Sequence, residues 1–214
     1  MEMKKVLLLV GSTGVLGTFF TEKFSDKYII VGAARRKPAG HVLYDFYEAD
    51  IGDSACVAKL VDYTLQKYGK IDILINNAVL YDMRELRDKD SKVFERELKV
   101  NVIAPLTLTN YVMNHFWAKK TREENEKYSR NVLNVSSIAG SKLYAHTGKG
   151  TYSVAKAALD MLTRHMAEEY IAFGIRANAI APNSFPSFVP LERIGEAMLS
   201  LMEGKEDGVI KILD

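Results

Sequence analysis

A phenol and an amine stand four residues apart in Tyr152-Ser153-Val154-Ala155-Lys156, inside a stretch of helical period. That spacing sends both side chains from one helix face, so they can share a site. A free tyrosine ionises near pH 10, and bringing it to about 7 takes roughly 4 kcal/mol of preference for the phenolate. An ammonium about 4 Å away, at an effective dielectric near 20, supplies a term of about that size. The pair is therefore a candidate proton donor and acceptor. This spacing alone is more often coincidence, and an isolated tyrosine is usually packing.

A second candidate is Gly11-Ser12-Thr13-Gly14-Val15-Leu16-Gly17, which follows an apolar run and opens a helical segment. Glycines let backbone approach a pyrophosphate, and a helix start adds unpaired N–H groups and the positive end of its dipole. The other reading is a tight turn with no ligand. At the end of the next apolar run, where an enzyme using NAD offers a carboxylate to the adenosine ribose, the chain reads Ala33-Ala34-Arg35-Arg36. Guanidinium groups match a phosphate through paired, charge-assisted bonds, so NADP(H) is expected over NAD(H). The alternative makes Arg35 and Arg36 solvated loop charges.

Elements must hold these groups. Near-continuous apolar runs at residues 5–10, 28–33, 71–76, 132–136, 176–181 and 209–213 read as strands buried on both faces, with a weaker strand at 41–44. Between them, residues 14–25, 53–68, 91–117 (interrupted near Asn101), 151–173 and 191–202 read as helices. The alternation predicts an α/β fold, a doubly wound parallel sheet of about seven strands with helices on both faces. Along 151–173, Ala155, Leu159, Leu162, Met166 and Tyr170 form a stripe that Val154, Ala157, Ala158 and Met161 widen. Either an ordinary buried helix or a contact with another subunit accounts for it, the latter implying a homo-oligomer, dimer or tetramer. Residues 118–130, dense in both charge signs, read as a solvated loop or frayed helix end.

The 214 residues are enough for one domain spanning 1–214. With 29 basic and 27 acidic residues the net charge is +2, which gives no field for nucleic acid or an anionic membrane and favours a small-molecule partner. Cys56 is the single cysteine and cannot form an internal disulfide, and the four histidines are scattered, so no metal site is expected and a reducing cytoplasm fits. The first apolar run is too short for a signal peptide, and no segment is long enough to span a bilayer.

Further motifs fall in order along the chain: Asp50-Ile51 after the third strand, Asn76-Asn77-Ala78 ending the fourth, Asn101 in Val100-Asn101-Val102, and Ser136-Ser137 ending the fifth. Together with the glycine turn, Tyr152 and Lys156, this ordered set resembles the short-chain dehydrogenase/reductase family over nearly the whole length. The resemblance implies a Rossmann fold and hydride transfer between a nicotinamide cofactor and a carbonyl or alcohol. It implies that Tyr152 protonates the carbonyl oxygen, that Lys156 lowers the phenol pKa and holds the nicotinamide ribose, that Ser137 bonds the substrate oxygen, and that Asn101 keeps a water behind Lys156. It places Asp50 and Ile51 at the adenine, Asn77 and Ala78 under the adenine ribose and nicotinamide side, and Pro182, Phe185 and Ser187 around the carboxamide.

Departures from the family pattern carry their own expectations. The G-x-x-G-x-x-G spacing is more typical of the nucleotide-sugar-modifying branch. Val79 and Asn183 replace usual glycines and narrow the nicotinamide site. Ser137 precedes Tyr152 by fifteen residues, so 140–150 forms a longer loop in which Tyr144 and His146 either touch substrate or are ordinary loop residues. After Ser187 the usual substrate-covering lid is nearly absent, which implies a bulky or weakly selected substrate, or cover from another subunit. A redox-sensing regulator that binds NADP(H) without turnover, and a nucleotide-sugar-modifying enzyme, are the competing functions.

Overall fold

The computed structural model describes residues 4–143 and 148–214. At its centre β1 (Val6–Val10) is buried along its whole length. Its alternate side chains feed two different cores. Leu7 and Leu9 pack with Leu16 and Phe20 of α1 (Val15–Phe24) and with Ile194 and Met198 of α7 (Leu191–Glu203). Leu8 and Val10 pack on the other side with Leu60 of α2 (Ser54–Tyr68), Leu108 of α4 (Ala104–His115) and Met166 of α6 (Gly150–Tyr170). Helices on both faces leave the strand no wet side, so its sequence carries no polar alternation. Each fully buried leucine contributes about 1.5–3 kcal/mol.

The remaining strands are β2 (Ile29–Ala34), β3 (Asp45–Glu48), β4 (Ile73–Asn76), β5 (Asn131–Val135), β6 (Arg176–Pro182) and β7 (Ile210–Leu213). All pair in parallel in one seven-stranded sheet of order β3-β2-β1-β4-β5-β6-β7. The first three strands lead outward one way from the centre and the last four the other. The winding therefore reverses between β1 and β4, and the crevice at their carboxyl ends is where such sheets bind ligands. This is the doubly wound α/β fold expected from the sequence.

The interruption expected near Asn101 is a π-helical turn, Lys99–Ile103, between α3 (Ser91–Leu98) and α4. Pro105 lacks the N–H that an α-helix would direct at the carbonyl of Asn101, and the wider turn lets the Ala104 N–H reach Lys99 O instead.

Two expectations need correction. The edge strand is Asp45–Glu48, not 41–44: the Tyr44 ring packs against Gly32 of β2, where a Cβ would meet it at 2.3 Å, and the ladder with β2 begins only at Asp45. Residues 118–130 are neither a solvated loop throughout nor a frayed helix end: α5 (Arg122–Lys127) is capped by the Thr121 side chain, and Asn125 and Arg130 are buried although most of the stretch is exposed. Asn125 Nδ2 donates to Trp117 O at 3.0 Å and Phe173 O at 2.8 Å. The Arg130 guanidinium bonds Asn125 Oδ1 at 2.7 Å and pairs with the fully buried Asp72 at 3.5 Å.

Candidate active site

The crevice opens where β1 and β4 end. Gly11 has φ +82°, and a Cβ there would sit 2.7 Å from the Ala78 nitrogen, so the turn closes against β4 only with glycine. Asn77 completes the junction by donating from Nδ2 to Gly11 O at 2.8 Å. Gly17 is held by the same packing, since its Cβ would meet Gly11 O at 2.3 Å. Gly14, the residue before α1, is different: a Cβ there would touch only Gly11 O, at 3.6 Å. The chain does not demand glycine at that position, but a phosphate approaching the first turn of α1 would. No side chain caps that turn, which borders a cleft of roughly 620 Å³.

Thr13, Val15 and Leu16 line the cleft beside Gly11 and Gly14. The Ser12 side chain turns away, buried and accepting from the Tyr44 hydroxyl at 3.4 Å, and thus serves the fold. Farther along the cleft Arg35 and Arg36 are exposed just beyond Ala34, opposite Asp50 and Ile51. Asp50 Oδ1 accepts the Gly52 N–H at 2.9 Å in the turn leading to α2. Asn77, Ala78 and the half-exposed Val79 form the floor, so Val79 does project into the cleft.

A second cavity, roughly 280 Å³, adjoins this cleft. Tyr81 and Phe185 line both spaces and mark their junction. Tyr152 stands in the wall of the smaller cavity, one turn of α6 before Lys156. Lys156 Nζ lies 5.7 Å from the centre of the Tyr152 ring and donates to Val135 O at 2.7 Å. The amine is fully enclosed, and burial lowers its pKa to about 8 against the opposing pull of Asp160. Asp160, one turn farther on, is itself buried, and burial pushes its carboxyl upward. Ser136 and Ser137 line the cavity at the end of β5. Ser137 Oγ also accepts the Ala139 N–H at 3.2 Å, so it caps the turn that follows as well as facing the cavity.

Asn101 is buried outside both spaces. Its amide clasps the backbone of Leu80, donating to Leu80 O at 2.5 Å and accepting from Leu80 N at 3.0 Å, which fixes the loop carrying Tyr81. Pro182 lines the smaller cavity with Asn183, whereas Ser187 is exposed and lines neither space. Residues 183–190 run to α7 without a helix. Tyr144 and His146 lie outside the described residues. Sequence reasoning missed Tyr81, Met83 and Lys149 in the cavity wall. The Tyr81 and Tyr152 rings meet edge to face, 5.7 Å apart.

A family model described as short chain dehydrogenase matches residues 5–189. The chain belongs to the short chain dehydrogenase family. An uncharacterised oxidoreductase of Thermotoga maritima is 36% identical over 138 residues, 64% of this chain and 51% of that protein. The match thus spans about half the length of that relative. The 3-oxoacyl-[acyl-carrier-protein] reductase of the same organism is 26% identical over 190 residues, 83% of this chain and 73% of that one. A crystal structure of a short chain dehydrogenase/reductase from Brucella ovis with partially ordered NAD superposes with a TM-score of 0.82 at 25% identity, covering 99% of this chain and 100% of that one. The chain accordingly shares the fold of that family, which in the Brucella ovis structure carries NAD. Among its described residues no cluster of three or more metal-ligating side chains occurs, and no helix is long and apolar enough to cross a membrane.

Proposed function

We propose that the protein transfers a hydride between NADP(H) and a carbonyl or alcohol, with Tyr152 giving the proton in reduction and taking it in oxidation. The observation that carries this reading is the position of Tyr152, in the wall of the smaller cavity with an enclosed ammonium 5.7 Å from its ring, next to the junction with the glycine-lined cleft. The cleft fits a dinucleotide: Gly14 leaves open the space a Cβ would fill, and the uncapped start of α1 offers donors to a pyrophosphate.

When bound, the nicotinamide supplies or accepts the hydride. The chain's own groups do the rest. Tyr152 delivers its proton to the substrate oxygen, and Lys156 favours the resulting phenolate while holding the ribose hydroxyls. Ser137 donates to the same oxygen as charge gathers there. Asn101 secures the loop above the site and a water behind Lys156. Asp50 and Ile51 border the adenine, Asn77 and Ala78 underlie the ribose, and Pro182 with Phe185 faces the carboxamide. The chain acts as one domain in the cytoplasm. It assembles as a dimer or tetramer through the exposed Val154 and Met161 of α6 and Ile103 on the adjoining π turn.

The NADP(H) preference rests on Ala34, where no acid repels a phosphate, and on Arg35 and Arg36 at the cleft edge. Replacing both arginines by alanine should weaken NADPH binding roughly 10- to 100-fold, the worth of one or two charge-assisted bonds, and leave NADH binding unchanged. Fluorescence titration with both cofactors checks this, and wild-type protein that binds NADH as tightly as NADPH would overturn the preference. One observation favours a second reading: residues 183–190 put no helix over the cavity, as suits a sensor that binds NADP(H) without turnover. Nicotinamide absorbance in a broad panel of carbonyls and alcohols separates the two, because a sensor binds tightly and changes the absorbance in none of them.

A further inference from the structure

The loop after β4 supplies one wall of the smaller cavity through Tyr81 and Met83. Beneath it lies an ion pair to which the proposed proton transfer assigns no part. Lys89 and Glu97 are 3.4 Å apart, with side chains only 3% and 1% exposed. Glu97 Oε1 accepts the backbone N–H of Asp82 at 2.5 Å, while Oε2 is buried with no partner among the described residues. The Lys89 ammonium also donates to the hydroxyl of Thr151, the residue before Tyr152. One charge thus grips the cavity wall between Tyr81 and Met83, and the other grips the first turn of α6.

Such a pair is a poor stabiliser. Stripping water from both groups offsets their attraction, and two apolar side chains of similar volume pack in such places at least as well. Yet Glu97 is the one fully buried residue of α3. A carboxylate there, satisfied at one oxygen by a cavity-wall amide, adds a directional contact that apolar packing lacks.

We propose that Lys89 and Glu97 form a positioning clamp that sets the separation between the 81–83 wall and Tyr152, and so the fit of the carbonyl substrate. Its effect on turnover rests on the oxidoreductase reading; its effect on the Tyr81–Tyr152 contact does not. The test compares wild type with Lys89→Met, Glu97→Leu, the double variant, and Thr151→Val. Each single change in the pair strands a buried charge and should lower the melting temperature, whereas the double variant should recover it.

With the melting temperature restored, kcat/KM in the double variant should stay about tenfold down, mainly through KM, at unchanged NADPH affinity. Thr151→Val, which keeps the ion pair intact, should raise KM in the same way with little loss of stability. The direct readout is the Tyr152 ring resonance in protein labelled with 13C-tyrosine, assigned by its absence from Tyr152→Phe, because Tyr81 lies edge-on to it. That resonance should move in the double variant and in Thr151→Val. An unmoved resonance in both, or recovery of KM together with the melting temperature, overturns the clamp. A wild type that turns over no substrate would defeat the proposed function, and the resonance would still decide the clamp.

Discussion

Tyr152→Phe should lower carbonyl reduction by about 100- to 10,000-fold, the usual worth of a positioned general acid, and leave NADPH affinity where it was. The substitution removes one oxygen and keeps the ring, so the edge-to-face contact with Tyr81 and the packing of α6 survive. No part of the glycine-lined cleft changes, because Tyr152 lines only the smaller cavity. Steady-state kinetics beside a cofactor titration give both quantities. Turnover that persists in the variant would remove Tyr152 from the chemistry and turn attention to the hydroxyls of Ser136 and Ser137, which line the same cavity.

Lys156→Met should cut turnover on the order of 1,000-fold while making the protein more stable at neutral pH. Burial moves the amine from 10.5 to about 8, so the folded protein bears the cost of an enclosed charge at every pH below 8. At about 1.4 kcal/mol per pH unit that cost is roughly 3 kcal/mol. The attraction of Asp160 is already contained in that shift, and losing the bond to Val135 O trims the gain to about 1–3 kcal/mol.

The sign with pH follows from proton counts. Between pH 8 and 10.5 the unfolded chain still holds a proton that the folded amine has released, so wild type gains stability as pH rises through that window. The advantage of Lys156→Met should therefore be greatest below pH 8 and vanish near 10.5, as denaturant melts at a series of pH values will show. In wild type, kcat/KM for NADPH, which reports the free protein, should fall as pH rises through about 8. A variant less stable than wild type at pH 7 would contradict this account of the amine.

Much of this architecture can be read directly from residue types. Strands such as Leu7-Leu8-Leu9 are apolar at every position because helices cover both faces of the sheet, and the glycine turn and the Tyr152–Lys156 spacing depend only on local geometry. The parts that stayed hidden depend on tertiary partners. Asp45–Glu48 forms the edge strand with polar residues at both ends, so no apolar run announces it. Arg130, read as part of a solvated stretch, and Asp72, inside a run read as a buried strand, are far apart in the chain, and only the fold brings their charges together. Lys89 and Glu97 are close in the chain, but nothing local shows that the fold encloses both charges. Asp160 is another matter, since it follows Lys156 by the same four residues that separate Lys156 from Tyr152, and that spacing marks it as a neighbour of the site.

The helix-free path of residues 183–190 bears on what times each catalytic cycle. A helical flap that has to swing aside would add a slow hinge step before product escapes, and that step often masks bond-making in the measured rate. Among the described residues, 183–190 offer no such flap on their side of the cavity. On the proposed chemistry, deuterium at the transferred position of NADPH should then be felt openly in kcat, unless departure of the spent dinucleotide is slower still.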